Sequence, residues 1–81
     1  MDKRSRRKRV KIKQLVLSVF TKRRMTILEI SKAADIEWPT AEKALDELKM
    51  LGIVEETITT ASTRVFKLSE SGEKLVKNAF L

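Results

Sequence analysis

Residues 26–56 read TILEISKAADIEWPTAEKALDELKMLGIVEE, and the reading of this stretch decides the fold. Thr26 and Glu29 have capping-box spacing: the Thr26 hydroxyl accepts from the Glu29 N–H, and the Glu29 carboxylate accepts from the Thr26 N–H. Ile27, Ile30 and Ala34 then recur on one helical face. Small Ala33 and Ala34 allow a second helix to cross closely. Asp35-Ile36 makes a turn, with Ile36 buried beneath it. Pro39 suits the first position of the next helix, where a missing N–H costs nothing. The residue before a proline is pushed out of the helical region, which makes Trp38 the expected cap. Ala41, Ala44, Leu45, Leu48 and Leu51 form a buried stripe. Gly52 fits C′ of a Schellman motif, with Ile53 folding back on Leu48. The stretch is therefore two short helices about a tight turn, the second running through a glycine into a strand.

Downstream, residues 53–58 and 64–68 are rich in β-branched side chains and read as paired strands. Val54, Ile58, Phe66 and Leu68 are the inward set. The tip, residues 59–63, has no glycine, so a long mobile loop is expected rather than a two-residue turn. Ser69 caps a last helix over 70–80, with Glu70 and Glu73 in its first turn opposing the dipole. Upstream, Ile12, Leu15, Val16, Val19 and Phe20 give residues 10–22 the core stripe of an amphipathic helix. Val10 and Leu17 widen that stripe, for core packing or for a dimer contact through Leu17. Leu75, Val76, Ala79, Phe80 and Leu81 are more apolar surface than a small body buries alone. The last helix therefore covers the first, or pairs with its copy in a homodimer.

The chain has 81 residues and a formal charge of +7. One domain of this size buries about 60–65% of its unfolded surface, so its core is modest. Position matters more than the total charge. Residues 1–13 carry Lys3, Arg4, Arg6, Arg7, Lys8, Arg9, Lys11 and Lys13 against Asp2 alone, which accounts for the whole +7. The remainder is neutral. Residues 1–9 are thus expected to be a disordered basic arm when free, and residues 10–81 the folded domain. The arm suits phosphates; a solubility tail or a nuclear import signal are the bland alternatives. Lys22-Arg23-Arg24 is either a solvated helix end or a further phosphate contact. There is no Cys and no His, which removes disulfides, thiolate nucleophiles, Cys/His metal sites and the commonest general base. No Gly-rich phosphate loop is present, and the carboxylates are scattered, so no enzyme activity and no cofactor are expected. No apolar run approaches a membrane span of roughly 20 residues. A cytoplasmic, nucleoid-associated protein of an archaeon or one of its viruses fits this composition.

The order of elements resembles the winged helix-turn-helix domains of prokaryotic and archaeal transcription regulators, over about residues 12–78. The matching residues are Met25-Thr26-Ile27-Leu28-Glu29-Ile30, Ile36 at the turn, Thr40-Ala41, Ala44-Leu45, Leu48, then Gly52-Ile53-Val54-Glu55. Phe66-x-Leu68-Ser69-x-x-Gly72 is similar to the opening of the post-wing helix in the MarR and PadR groups. The resemblance implies a mainly α fold with a small β-hairpin (α+β): a three-helix core, a wing and a C-terminal helix. It implies that the third helix enters the major groove of double-stranded DNA, and that the hairpin tip meets the backbone or the minor groove. Carried over by position, Glu37, Trp38, Pro39, Thr40, Glu42 and Lys43 face the groove, with Asp46 and Glu47 as further candidates beside them. Arg4, Arg6, Arg7, Lys8, Arg9, Lys11, Arg23, Arg24 and the wing residue Arg64 complete the expected DNA-binding set.

One departure is plain. Recognition helices usually show Arg, Gln, Asn or Ser to the bases. This one carries Glu37, Glu42, Asp46 and Glu47 against Lys43 and Lys49, a net of −2. Glu can accept from cytosine N4, and the helix start still offers N–H groups to a phosphate. DNA binding on this reading leans on the arm. The rival readings are a protein-interaction module built on the acidic third helix, and an RNA-binding winged helix. Trp38 either works at the DNA surface or staples the helix start to the core.

Overall fold

The computed structural model describes residues 11–21, 23–60 and 63–80. In chain order these form helix α1 over residues 11–18, a short strand β1 (Met25–Thr26), helices α2 (Ile27–Ala34) and α3 (Trp38–Met50), strands β2 (Val54–Thr59) and β3 (Arg64–Leu68), and helix α4 (Glu70–Phe80). The three-helix core, wing and C-terminal helix expected from sequence are all present. The arm over residues 1–9 lies outside the described residues.

Among the described residues the core is a cluster of Val16, Leu17, Met25, Ile27, Ile30, Ala41, Ala44, Leu45, Leu48, Val54 and Phe66. Helix α1 contributes differently from its simplest spacing. Val16 and Leu17 are buried, whereas Leu15 is 39% exposed. Leu17 is thus a core residue and not a free dimer contact. The α1 helix also stops short of residue 22, because Val19 and Phe20 donate to Val16 and Leu17 in a tightened i→i+3 turn.

The capping box at α2 forms as expected. The Glu29 N–H donates to Thr26 Oγ1 at 3.1 Å, and the Thr26 N–H donates to Glu29 Oε1 at 2.9 Å. Asp35 ends α2 with φ 55°, and the Ile36 N–H returns to the Ser31 carbonyl at 3.0 Å. Helix α3 begins one residue earlier than expected, with Glu37 in the cap position and Trp38 already helical. Its exit is a full Schellman motif. Gly52 has φ +76°, its N–H donates to the Lys49 carbonyl, and the Ile53 N–H donates to the Leu48 carbonyl. That reversal turns Leu51 outward, to 63% exposure, and Ile53 packs inward instead. Leu51 is therefore not part of the buried stripe.

The sheet has three strands in the order β1-β3-β2, all antiparallel. Strand β1 was not legible in the sequence; two residues are too few to show a period. Met25 pairs with Phe66, which anchors the base of the hairpin to the start of α2. A bulge between Glu56 and Ile58 shifts the β2–β3 register. An extra residue in one strand reverses the alternation beyond it. Val54 and Phe66 accordingly face the core and Leu68 is half-buried, but Ile58, expected inward, is 46% exposed. Thr60 and Thr63, on either side of residues 61 and 62 of the expected loop, bond to each other three times. Those two residues lie outside the described set.

Ser69 locks α4 to the end of α3. Its hydroxyl is within reach of the Gly52 and Ile53 carbonyls at 2.6 and 3.0 Å, and it accepts from the Gly72 N–H at 3.0 Å. Gly72 is required by close approach: a Cβ there would collide with the Ile53 carbonyl oxygen. Val76 packs on the core, and Leu75 is 46% exposed.

Candidate nucleic-acid interface

Helix α3 has three sides with different surroundings. Ala41, Ala44, Leu45 and Leu48 are buried. Glu42, Asp46 and Lys49, spaced four and three apart, face the wing. Thr40, Lys43 and Glu47 face α1.

The wing side is closed by ionic contacts centred on Arg64. Its Nε and Nη2 donate to the two carboxylate oxygens of Glu56 at 2.8 and 3.0 Å. Nη2 also reaches Asp46 at 2.8 Å, and Nη1 reaches Glu42 at 3.0 Å. Four of the five guanidinium N–H groups are thereby engaged. The guanidinium carbon also lies 5.2 Å from the Phe66 ring centroid, a cation–π distance. Lys49 completes the group by donating to Glu56 at 2.9 Å. The Glu56 side chain is only 4% exposed. Arg64 holds the Glu56 carboxyl far below the usual carboxylate range against the opposing effect of burial, with Thr59 and Lys49 assisting. Reciprocally, Glu56 and then Asp46 raise Arg64 above its ordinary value. Arg64, expected on the wing as a DNA contact, is held by carboxylates of the domain itself: on β3 it shares a face with Phe66, and that face looks toward α3.

The α1 side is open. Ile12, Pro39, Thr40, Lys43, Ala44 and Glu47 line a cleft of about 350 Å³. Lys13 pairs with Glu47 across it at 3.7 Å. Lys43 is exposed and makes no ion pair with any described residue. Glu37 makes no side-chain cap bond to the first turn of α3, so those N–H groups remain available to an anion. Lys11 is exposed at the start of α1, on the end of that helix that borders the cleft.

Trp38 lies at the corner between these sides. It is 43% exposed and lines a groove of about 170 Å³ with Thr26, Ile27, Leu28, Thr63 and Arg64. Arg23 is elsewhere. It borders a cleft with Phe20, Thr21, Leu68 and Glu73, between the far end of α1 and α4. The structure therefore brings Lys11, Pro39, Thr40 and Lys43 to one end, with Trp38 beside them, and leaves Arg23 at the other. Arg24 is exposed in the connection to β1. Arg4, Arg6, Arg7, Lys8 and Arg9 lie outside the described residues. Among the described residues no group of Asp and Glu side chains is arranged to hold a metal ion, and no helix is long and apolar enough to cross a membrane.

The role of Glu42 and Asp46 escaped the sequence reading. Their i,i+4 spacing was visible, but their partner lies 22 and 18 residues away. The signal available was Glu56, a charged residue in a strand position that alternation assigns to the core.

A family model for winged helix-turn-helix domains matches residues 6–79 of the chain. Among solved structures, a MarR family transcriptional regulator from Silicibacter pomeroyi superposes with a TM-score of 0.73 at 20% identity, over 83% of this chain and 45% of that one. A MarR variant from E. coli complexed with operator DNA gives 0.71 at 19% identity, over 83% and 49%. FabT from Streptococcus pneumoniae in complex with DNA gives 0.74 at 15% identity, over 86% and 50%. At such identities the likeness is one of fold, and the chain spans about half the length of these regulators. No curated protein matches the sequence.

Proposed function

The chain belongs to the winged helix-turn-helix family, and from that premise we propose that it is a transcription regulator that binds double-stranded DNA in a sequence-specific manner. Helix α3 enters the major groove by its N-terminal end. Trp38, Pro39, Thr40 and Lys43 meet the duplex there, and the first-turn N–H groups approach a phosphate. Arg4, Arg6, Arg7, Lys8, Arg9 and Lys11 track the backbone or the adjacent minor groove, and Arg24 is an outlying contact.

The observation that carries this reading is the junction of α1 and α3. The chain leaves the arm at Lys11 and Ile12, and Ile12 borders the same cleft as Pro39, Thr40 and Lys43. Grip and readout therefore start from one end of the molecule. Coupling of Glu42 and Asp46 to Arg64 also weakens the rival view, in which a bare acidic helix meets a protein partner. For assembly, exposed Leu75 on α4 supports a homodimer through that helix. Sedimentation of the full chain and of Leu75→Glu tests it: the variant is expected to run as a monomer.

Selection from a random duplex pool at two salt concentrations tests DNA recognition. About six arm contacts give a salt slope near −5. Deleting residues 1–9 is expected to weaken every duplex alike and to flatten that slope. Thr40→Ala with Lys43→Ala is expected to erase sequence preference and to leave the fold intact. If the double variant discriminates among duplexes as the full chain does, the groove assignment is wrong.

A further inference from the structure

The wing of this domain carries its described tip cation turned away from solvent. Arg64 stands at the start of β3, and its side chain spans from Glu56 in the wing to Glu42 and Asp46 on α3. Glu42 and Asp46 are themselves only partly exposed, at 35% and 48% of their side chains. Three carboxylates, one of them buried and bidentate, already hold four of its five guanidinium N–H groups, so a phosphate finds a single donor left there. Conversely, without Arg64 the same carboxylates would stand uncovered beside Lys43, where a duplex approaches.

We infer that Arg64 is a positioning residue for duplex recognition: it ties the wing to α3 and covers Glu42 and Asp46, so that Thr40 and Lys43 meet DNA without those carboxylates opposing them. The inference rests on the DNA-binding reading and deepens it, because it removes the wing arginine from the set of phosphate contacts. It also accounts for a reading helix that is acidic by residue count. Two of its acids are directed sideways, to a cation supplied by another element.

The test compares three proteins on a duplex selected by the full chain, across a range of salt. Arg64→Gln alone would leave Glu56 buried and unpaired, so the variant is made together with Glu56→Gln. If Arg64 positions, this pair weakens binding on the order of tenfold by uncovering two carboxylates, while the salt slope stays the same. Adding Glu42→Gln and Asp46→Asn to that pair then restores affinity to within about threefold of the full chain, because the uncovered charges are gone. If Arg64 instead contacts a phosphate, the slope flattens by about 0.9 and the added substitutions restore nothing; this overturns the inference. An unchanged slope without recovery assigns Arg64 to stability alone and overturns it equally.

A readout without DNA completes the set. Glu42→Gln with Asp46→Asn keeps the Glu56–Arg64 pair but cuts the tie to α3. Amide exchange at Thr63 and Arg64 is expected to quicken several-fold, while exchange at Met25 and Phe66 stays as in the full chain. Equal exchange at all four positions overturns the tie. A full chain that binds no duplex at any salt, with exchange quickened as expected, places the failure in the DNA reading. The role in recognition then falls, and the wing–α3 contact stands.

Discussion

The two flanks of α3 carry nearly the same kinds of residue and behave differently. Toward the wing, Glu42, Asp46 and Lys49 are drawn into a network around Arg64 and the buried Glu56. Toward α1, Thr40, Lys43 and Glu47 border an open cleft, crossed only by the 3.7 Å Lys13–Glu47 contact among the described residues. A charge count over the helix treats both flanks as one surface. The difference teaches that an acid on a recognition helix opposes DNA only when it faces the DNA unpaired, and partners from other elements decide that.

The hardest way to break the comparison is to remove its centre. Arg64→Ala leaves Glu56 in a nearly sealed position with only Lys49 as a charged partner. Breaking a buried pair in this way costs about 3 kcal/mol, which chemical denaturation of the variant would register. A loss below about 1 kcal/mol would mean that the wing flank is as loosely held as the α1 flank.

A site on neither flank sharpens the contrast. Gly72→Ala forces α4 away from the Ile53 carbonyl, and overpacking of this kind costs about 2 kcal/mol. A fall in melting temperature of roughly 10 °C is expected, with duplex preference unchanged, because α3 keeps both its neighbours.

Acid titration distinguishes the flanks by charge. The folded Glu56 carboxyl lies below its ordinary value of 4.5. A depressed folded pKa gives stability that is complete above the unfolded value and is lost as pH falls through the folded one. Melting temperature should therefore be level from pH 7 to about 5 as far as this pair is concerned, and should drop steadily below pH 4.5. The Glu56→Gln, Arg64→Gln protein should lose less over that acid range. An identical acid profile in both would remove Glu56 as the source.

The smallest effect belongs to the open flank. Lys13→Ala removes a long contact between partly exposed groups, and such pairs contribute at most about 0.5 kcal/mol. Its melting curve should overlay that of the full chain, and a shift of several degrees would show that the α1 flank is tied after all.

Much of this architecture was readable from residue types and spacing. The capping box at Thr26 and Glu29, the Schellman exit at Gly52, the Ser69 cap and the buried rows of α2 and α3 are local patterns. Each is completed within one or two helical turns of sequence. Their physical basis is short-range, since backbone N–H and C=O groups at helix ends must find partners nearby. The concentration of positive charge before residue 14 was legible in the same way.

What failed was long-range. A bulge moved Ile58 from the core to the surface, β1 formed only because β3 was there to pair with it, and Leu15, expected in the core stripe, was left partly exposed once the neighbours of α1 were in place. The fate of Arg64 is the clearest case. Its sequence neighbours are Thr63 and Val65, and nothing local distinguishes it from a solvated wing cation. Strand pairing within the hairpin brings Glu56 to it, and only the packing of the hairpin against α3 brings Glu42 and Asp46 within 3.0 Å as well. The chain by itself determined the helices, the two hairpin strands, the caps at Thr26, Gly52 and Ser69 and the split between a basic arm and a neutral body, because those depend on local hydrogen bonding and hydrophobic period. Tertiary structure alone decided which charges face outward, because that depends on which distant groups become neighbours.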